Sequence, residues 1–322
     1  MRKALVVGID KYESYPLTGC CNDAKAVNII LSKNTDGSPN FETHLELNIH
    51  TKGTLLEKID NCFSGDSDIA LFYFAGHGII DSIGGYLVTP DFSKYDYGVS
   101  LQEILTIVNK SKCKNRIVIL DCCYSGAMGT IDCSSQNTTI INEGVTILTS
   151  SRSTETSEEE DNHGIFTSFL LEALQGSAAD ITGNITPAGI YSYIDKALGQ
   201  WGQRPVFKTN TTRFISLRNV TPQVDLSIIR KLCTYFENED SKFNLDPSYK
   251  PTNAKNVQHK IIKPYANQLH TAIFNELQQL ESIGIVIPIS EKHMYFAAMN
   301  SKACALTPIG KQYWRLVKKG YI

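Results

Sequence analysis

Two short apolar runs most constrain how this chain can fold. Residues 68–74 (DIALFYF) and 115–120 (NRIVIL) have the length and composition of strands buried on both faces of a sheet. Around them, strand-like runs alternate with segments of helical periodicity over the first two-thirds of the chain. This alternation predicts a largely parallel sheet that is covered by helices on both faces.

The individual elements of this first part follow from spacing and turn residues. Strands are predicted at residues 3–9, 44–49, 68–74, 115–120 and 144–150, with shorter ones at 206–207 and 214–217. Helices are predicted at 22–31, 51–63, 100–109, 164–174 and 187–198. Residues 79–80 and 86–88 flank Gly84-Gly85, which predicts a small hairpin.

The pattern changes after residue 217. Residues 224–237, 265–283 and 307–317 are predicted to be helical, and residues 238–258 form a polar loop. Residues 285–289 and 294–299 are predicted to pair as a hairpin. Helix, hairpin and helix in that order resemble a winged-helix module. We therefore predict two domains, residues 1–217 and residues 218–322.

The charge distribution agrees with two modules. The formal net charge is −2, but residues 1–217 carry about 17 basic and 25 acidic side chains, and residues 218–322 about 14 and 8. Winged helices often contact nucleic acid, yet the excess of positive charge is modest and the lysines are scattered. We favour docking of an activator or effector protein on the second module over nucleic-acid binding.

Composition also bears on the compartment. The first residues lack the features of a signal peptide, and the sequence has no apolar stretch long enough to span a membrane. Nine cysteines form an odd count without a CxxC pair, which favours reduced thiols over disulfides or a zinc site. We expect a soluble cytoplasmic protein with no membrane partner.

Two motifs carry the candidate chemistry. Residues 74–78 (FAGHG) and residues 121–126 (DCCYSG) each follow a predicted buried strand. The carboxyl ends of parallel strands are where ligands bind, and parallel neighbours would bring His77 and Cys123 together there. Histidine suits the acid and base role beside a thiolate. Cys123 is the candidate nucleophile, and the backbone N–H groups of Gly78 and Cys123 are the candidate oxyanion hole.

Simpler interpretations exist for each residue taken alone. His77 could be a hydrogen-bonded loop residue, and the Cys122-Cys123 pair could be buried filler, because free cysteine packs like a small hydrophobe. Cys122 is the rival nucleophile. Period-two alternation points it away from Cys123, which favours a structural role for Cys122.

The sequence resembles the caspase-like cysteine peptidases, and within them the metacaspases and their bacterial relatives more than animal caspases. The resemblance covers about residues 1–217. The matching segments are LTGCCNDA at 17–24, GHG at 76–78, DCCYSG at 121–126, VTILTSSR at 145–152 and HGIFTSFLLEAL at 163–174. It implies a three-layer α/β/α sandwich with a mostly parallel six-stranded sheet and cysteine endopeptidase activity. It also implies regulated proteolysis in bacterial cell death or defence, including antiviral defence.

The resemblance further implies a substrate preference. In metacaspases, aspartates at the positions of Asp23 and Asp121 line the pocket for the residue before the cleaved bond. Two carboxylates there favour arginine or lysine in a protein substrate. The alternative for Asp23 is a helix cap before Ala24. Ala75 and Tyr124 depart from the frequent serine and histidine of the family, which puts fine specificity in doubt.

Two questions stay open on the sequence alone. No cofactor or metal is predicted, but some metacaspases are activated by calcium, and Asp91 and Asp132 lie only near the corresponding positions, so calcium activation is undecided. The second function considered is a catalytically idle caspase-like scaffold or adaptor. The presence of His77, Cys123 and both aspartates disfavours it.

Overall fold

A computed structural model describes most of the chain. The described residues are 1–80, 84–122, 140–150, 159–160, 163–199, 205–253 and 262–322. The chain divides into two compact units, Met1–Thr221 and Pro222–Ile322. This division falls close to the boundary predicted after residue 217, while the roles assigned to the two modules stay predictions.

The first unit alternates strands and helices. Its strands are β1 (Arg2–Gly8), β2 (Glu42–Leu47), β3 (Ile69–Ala75), β4 (Gly78–Ile80), β5 (Gly85–Ser93), β6 (Asp96–Ser100), β7 (Asn115–Asp121), β8 (Val145–Thr149), β9 (Glu159–Glu160), β10 (His163–Gly164), β11 (Asn184–Ile185), β12 (Val206–Asn210) and β13 (Arg218–Asn219). Its helices are α1 (Cys20–Ser32), α2 (Lys52–Phe63), α3 (Leu101–Lys110), α4 (Ile165–Glu172) and α5 (Pro187–Ala197), and a π-helical turn, Ala173–Ser177, follows α4.

A six-stranded sheet forms the centre of this unit, in the order β12-β8-β7-β3-β1-β2. Five strands are parallel, and the edge strand β12 is antiparallel to β8. The two apolar runs of the sequence are the neighbouring strands β3 and β7, and every residue of β3 is buried. The prediction of a mostly parallel six-stranded sheet with flanking helices is confirmed.

The sheet has a hydrophobic core on each face. Alternate residues of β3 point to opposite faces, so Phe72 and Phe74 pack on one face and Leu71 and Tyr73 on the other. The first face is covered by α2 and α3, and we call it the α2–α3 face. The second is covered by α1, α4 and α5, and we call it the α1–α4 face.

Capping residues define where the helices begin. The Thr51 hydroxyl accepts a hydrogen bond from the Thr54 N–H at 3.2 Å, as predicted for the N-cap of α2. Ser100 and Glu103 form a reciprocal capping box at the start of α3. These side chains satisfy backbone N–H groups that the helices themselves leave without partners.

A second, three-stranded antiparallel sheet (β4-β5-β6) lies on the α2–α3 face. The predicted hairpin at 79–88 corresponds to the pairing of β4 with β5, and β6 adds a third strand that the sequence did not indicate. The strand predicted at 214–217 is wrong. Ile215 and Leu217 are buried, but the strand in this region is β13, which pairs with β11 outside the central sheet.

The second unit is smaller. It contains helices α6 (Leu226–Arg230), α7 (Leu232–Tyr235), α8 (Gln268–Ser282), α9 (Met294–Met299) and α10 (Pro308–Lys318), strands β14 (Lys242–Asn244), β15 (Val286–Pro288) and β16 (Ala303–Leu306), and a 3₁₀ turn, Pro247–Tyr249. The strands form an antiparallel sheet in the order β14-β16-β15. The hydroxyl of Thr307 caps α10 by accepting from the Gly310 N–H at 3.0 Å, as predicted.

The hairpin predicted in this unit is wrong in its second strand. Residues 294–299 form α9, and the strand that pairs with β15 is β16. A short apolar run fits a buried helix as well as a strand, so periodicity alone did not separate them. Within the described parts of the chain, no helix has both the length and the apolar character to span a membrane.

Candidate active site

The two motif-bearing strand ends are neighbours in the central sheet. Ala75, the last residue of β3, lies opposite Asp121, the last residue of β7, and the Gly76 N–H donates to the Asp121 carbonyl at 3.3 Å. His77 therefore lies at the carboxyl edge of the sheet, where the sequence predicted it. Cys123 lies outside the described residues, so its pairing with His77 stays a prediction.

The His77 side chain is held by residues that follow β1. Its Nε2 lies 2.6 Å from the backbone carbonyl oxygen of Tyr15, and its ring lies 4.6 Å from the Tyr12 ring, centroid to centroid. The Tyr12 hydroxyl accepts from the His77 backbone N–H at 3.1 Å and donates to the Val88 carbonyl at 3.3 Å. Both the ring and the backbone of His77 are thus fixed.

The glycine before His77 is required by this arrangement. A Cβ on Gly76 would lie 2.7 Å from the Tyr12 hydroxyl and 2.7 Å from Cζ of Phe74. Neither distance is possible for a real carbon atom, so the first glycine of the GHG motif lets Tyr12 reach the histidine backbone. Burial raises the pKa of the Tyr12 hydroxyl far above its usual value, so the hydroxyl stays protonated and donates.

The segment between β1 and α1 is anchored at Asp10. Its carboxylate accepts from the N–H groups of Cys20 (2.9 Å) and Cys21 (3.2 Å), which open α1. The N-cap position of α1 is Gly19, and Asp23 lies inside the helix. The interpretation of Asp23 as the cap of this helix is therefore wrong, because Asp10 satisfies those N–H groups instead.

The backbone N–H of Gly78, the predicted oxyanion donor, is oriented by the pairing of β4 with β5. It is paired with Leu87, and the Val88 N–H donates to the His77 carbonyl at 2.9 Å. This pattern makes Gly78 and Leu87 a non-hydrogen-bonded pair, in which the N–H of Gly78 points away from β5. Because β4 is an edge strand, that N–H is directed out of the small sheet.

Asp23 and Asp121 converge on the α1–α4 face. Their side chains are buried, with 2% and 7% exposure, and both lie against Gly164. The Gly164 N–H donates to Oδ2 of Asp23 at 3.2 Å, and a Cβ on Gly164 would lie only 2.6 Å from Oδ2 of Asp121. The structure brings together the two aspartates that the sequence predicted to share a pocket, which we call the acidic pocket.

A buried hydroxyl relay supports Asp121. The Thr167 hydroxyl donates to Oδ2 of Asp121 at 2.6 Å and lies 2.6 Å from the Tyr73 hydroxyl. A threonine hydroxyl has one hydrogen, and the carboxylate takes it, so Tyr73 is the donor to Thr167. Thr167 and Tyr73 are completely buried, which makes each of these hydrogen bonds expensive to lose.

Ionisable groups in and behind the acidic pocket have raised pKa values. Burial raises the pKa of Asp121 to about 7, the hydrogen bond from Thr167 opposes this shift, and the nearby charge of Asp23 adds to it. Burial also raises the pKa of Tyr73, and the two aspartates add to the effect. A cation in the pocket would relieve the repulsion between the carboxylates.

Cys122 lies on the other side of the sheet from the acidic pocket. Its side chain is 2% exposed and packs in the core of the α2–α3 face, while Asp121 points to the α1–α4 face. Its carbonyl accepts from the Ser150 hydroxyl at 3.1 Å. This environment is the one expected for a structural cysteine.

Asp91, one of the two residues near the calcium positions of metacaspases, accepts hydrogen bonds from protein groups. Its carboxylate accepts from the Lys52 N–H, with 3.2 Å to each oxygen, and from the Thr89 hydroxyl at 2.6 Å. Asp132 lies outside the described residues. Across the described ranges, no group of three or more histidine, cysteine, aspartate or glutamate side chains is placed to hold a metal ion.

Some residues of the site gave no signal of function in the sequence. Tyr12 and Tyr15 lie in a segment that carries no regular pattern, and Tyr73 sits in a run that reads as plain core. Gly164 and Thr167 belong to the HGIFT segment at 163–167, which the resemblance marked but to which no role was given. The one indication available in the sequence was a hydroxyl residue, Thr167, among apolar residues near the start of a predicted helix.

Comparison with known proteins identifies the family of the first unit. The caspase domain family (peptidase C14) matches residues 1–212. Caspase-1 from Spodoptera frugiperda superposes with a TM-score of 0.50 at 14% identity, covering 68% of this chain and 90% of that one. A protein from Geobacter sulfurreducens gives a TM-score of 0.49 at 16% identity, covering 67% and 96%.

The comparison with curated proteins returned no match. The family match spans well over half of the chain and includes the strand ends that carry His77 and Asp121. Members of that family are cysteine peptidases, and the solved structure of a caspase shares the fold. This chain belongs to the caspase domain family.

Proposed function

We propose that this chain is a cysteine endopeptidase that cleaves protein substrates after arginine or lysine. Cys123 is the nucleophile and His77 is its acid and base. The observation that carries the proposal is the acidic pocket, in which Asp23 and Asp121 lie side by side, buried, next to the strand end that bears His77. Such a pair of carboxylates is costly to bury unless a cation joins it.

The hydrogen bonds of His77 support different roles for its two ring nitrogens. Because Nε2 is engaged by the Tyr15 carbonyl, Nδ1 is the ring nitrogen that exchanges a proton with the Cys123 thiol. The thiolate attacks the scissile carbonyl, and the imidazolium then donates its proton to the departing amine. Water, deprotonated by His77, releases the acyl group and regenerates the thiol.

The developing oxyanion needs donors that already point at it. The N–H of Gly78, directed away from β5, is one such donor, and the N–H of Cys123 is the proposed second donor. Losing one oxyanion donor typically lowers the rate about 10²–10³-fold. The glycine at 78 also leaves room for the substrate carbonyl to approach the backbone.

The acidic pocket supplies the specificity. A guanidinium group can donate hydrogen bonds to both carboxylates and cancels their mutual repulsion, while an aspartate side chain would add a third negative charge. This distinguishes the proposed preference from cleavage after aspartate. A use in bacterial defence or cell death, and docking of an activator on the second unit, are proposals that rest on the resemblance and on charge.

One labelling experiment tests the proposal. A peptidyl acyloxymethyl ketone with arginine before the reactive carbonyl should alkylate the native protein, and labelling should be lost in Cys123→Ala but retained in Cys122→Ala. The matched reagent with aspartate should not label. Labelling of the Cys123→Ala variant would assign the wrong nucleophile, and a folded native protein that no reagent labels would favour the scaffold function.

A further inference from the structure

A recess adjoins His77. It has a volume of about 690 Å³, and its lining includes His77, Tyr15, Ile79, Ile80, Val88 and Phe92. Apart from His77, none of the described side chains that line it is acidic or basic. We call it the His77 cavity. Most of its lining is apolar, and its volume is ample for a large apolar side chain.

The His77 cavity and the acidic pocket belong to opposite faces of the sheet. Ile79, Ile80 and Val88 pack against the core of the α2–α3 face. Asp121 and Tyr73 point to the α1–α4 face. His77 follows β3 at the edge between the two faces. A substrate chain that extended from the acidic pocket to the His77 cavity would therefore pass beside the imidazole.

This arrangement assigns an occupant to the cavity. If arginine or lysine fills the acidic pocket, the cleaved bond lies at His77, because His77 must reach the departing amine. The residue that carries that amine is then on the His77 side of the bond. We propose that the His77 cavity binds the side chain immediately after the cleaved bond, and that this side chain is large and apolar.

The inference rests on the proposed function and narrows its substrate class to arginine or lysine followed by leucine, methionine or phenylalanine. The rim supports an apolar ligand. Tyr15 is 82% exposed and Phe92 is 41% exposed, although both border the recess. Large side chains left exposed around a concave apolar surface indicate a binding site. A charged side chain would find no counter-charge among the described lining residues other than His77.

The test uses two internally quenched peptides that are identical except for the residue after arginine, which is leucine in one and glycine in the other. We expect kcat/KM to be roughly tenfold higher for the leucine peptide, as for other apolar pockets. Phe92→Ala and, independently, Ile80→Ala should reduce this ratio to about two- to threefold. Because Phe92 is partly exposed, its truncation is not expected to unfold the protein.

Tyr95→Ala is the matched control. Tyr95 is an 89% exposed aromatic residue in the turn between β5 and β6 and does not line the cavity, so the ratio should stay at the native value. Labelling by the arginine ketone is measured in parallel, because that reagent has no residue after the reactive carbonyl. If the arginine ketone labels the native protein but kcat/KM is nearly equal for the leucine and glycine peptides, the inference alone is overturned. Absence of labelling would overturn the proposed function and the inference with it.

Discussion

The acidic pocket and the His77 cavity are built from different kinds of side chains. In the acidic pocket, Asp23 and Asp121 are almost fully buried, and Thr167 and Tyr73 behind them form a chain of hydrogen bonds. In the His77 cavity, the lining is mostly apolar and its rim is exposed. A rigid polar pocket can discriminate by several orders of magnitude, whereas an apolar pocket discriminates about tenfold per side chain.

The buried charge of the acidic pocket lowers the stability of the folded protein, whereas the mostly apolar His77 cavity has no such cost. The Asp121 carboxyl has a pKa of about 7 in the folded protein against 3.8 for an ordinary aspartate. Between these values the folded state binds more protons than the unfolded chain, so this group destabilises the protein as the pH rises from about 4 to about 7. The loss is complete above pH 7, and a cation bound between the carboxylates would offset it.

The largest effect is expected for Asp121→Asn, which keeps the shape of the side chain and removes its charge. We expect kcat/KM for an arginine peptide to fall roughly 10²–10³-fold, because a buried charge partner of the guanidinium is lost. The matched substrate has citrulline, an uncharged isostere of arginine. The native preference for arginine over citrulline should largely disappear in the variant.

The same variant separates loss of function from loss of fold. At pH 8 the melting temperature of Asp121→Asn without ligand should exceed that of the native protein, because neither the burial of a charge nor its repulsion by Asp23 opposes folding any longer. Below pH 4 the advantage should vanish, since the carboxyl is then protonated in the folded and the unfolded protein alike. A lower melting temperature at pH 8 would show that the two carboxylates do not repel as described.

Gly164→Ala should have the next largest effect. The added Cβ would lie 2.6 Å from Oδ2 of Asp121, so either the carboxylate or the start of α4 must move. A displacement of about 1 Å in a positioning group can cost about 10²-fold in rate, and we expect kcat/KM for arginine peptides to fall between ten- and a hundredfold. Initial rates at several substrate concentrations measure this.

Gly53→Ala is the matched control for that substitution. Gly53 lies in the exposed first turn of α2, and no described atom lies within 4 Å of a Cβ added there. Alanine in a helix is favoured over glycine by up to about 1 kcal/mol, so this variant should be fully active and no less stable. Equal activity of both alanine variants would contradict the close approach at Gly164.

Much of this site could be predicted from the sequence because it sits where strands end. The buried runs at 68–74 and 115–120 located two neighbouring parallel strands, and the residues that follow such strands lie at one edge by geometry alone. His77 was found in this way, and Asp121 was placed at the same edge, although its role in a pocket was implied only by the resemblance to a family. Asp23 lies far from them in the chain, and only the resemblance to a family placed it in the same pocket.

Other parts could not be predicted, for two physical reasons. Tyr73 and Thr167 act through a hydrogen bond between side chains 94 residues apart, and nothing in local periodicity encodes such a contact. The run at 294–299 is apolar throughout, so its choice between helix and strand was made by tertiary packing. The sequence also gave no sign of the His77 cavity, which forms only when the segment after β1 folds against β4 and β5.

The smallest expected effect tests the relay behind the acidic pocket. Thr167→Val keeps the shape and burial of the side chain but removes the hydroxyl that donates to Asp121. A hydrogen bond to a charged group contributes about 1.5–3 kcal/mol, so its loss should raise the pKa of Asp121 by roughly one unit or more.

The readout is the ratio of kcat/KM for arginine and citrulline peptides as a function of pH, in which the ionisation of Cys123 and His77 cancels. In the native protein this ratio should rise as Asp121 ionises, with a midpoint near pH 7. In Thr167→Val the midpoint should move to higher pH, whereas Thr167→Ser, which retains the hydroxyl, should restore it. An unchanged midpoint in Thr167→Val would mean that the Thr167 hydroxyl only fills space and does not set the pKa of Asp121.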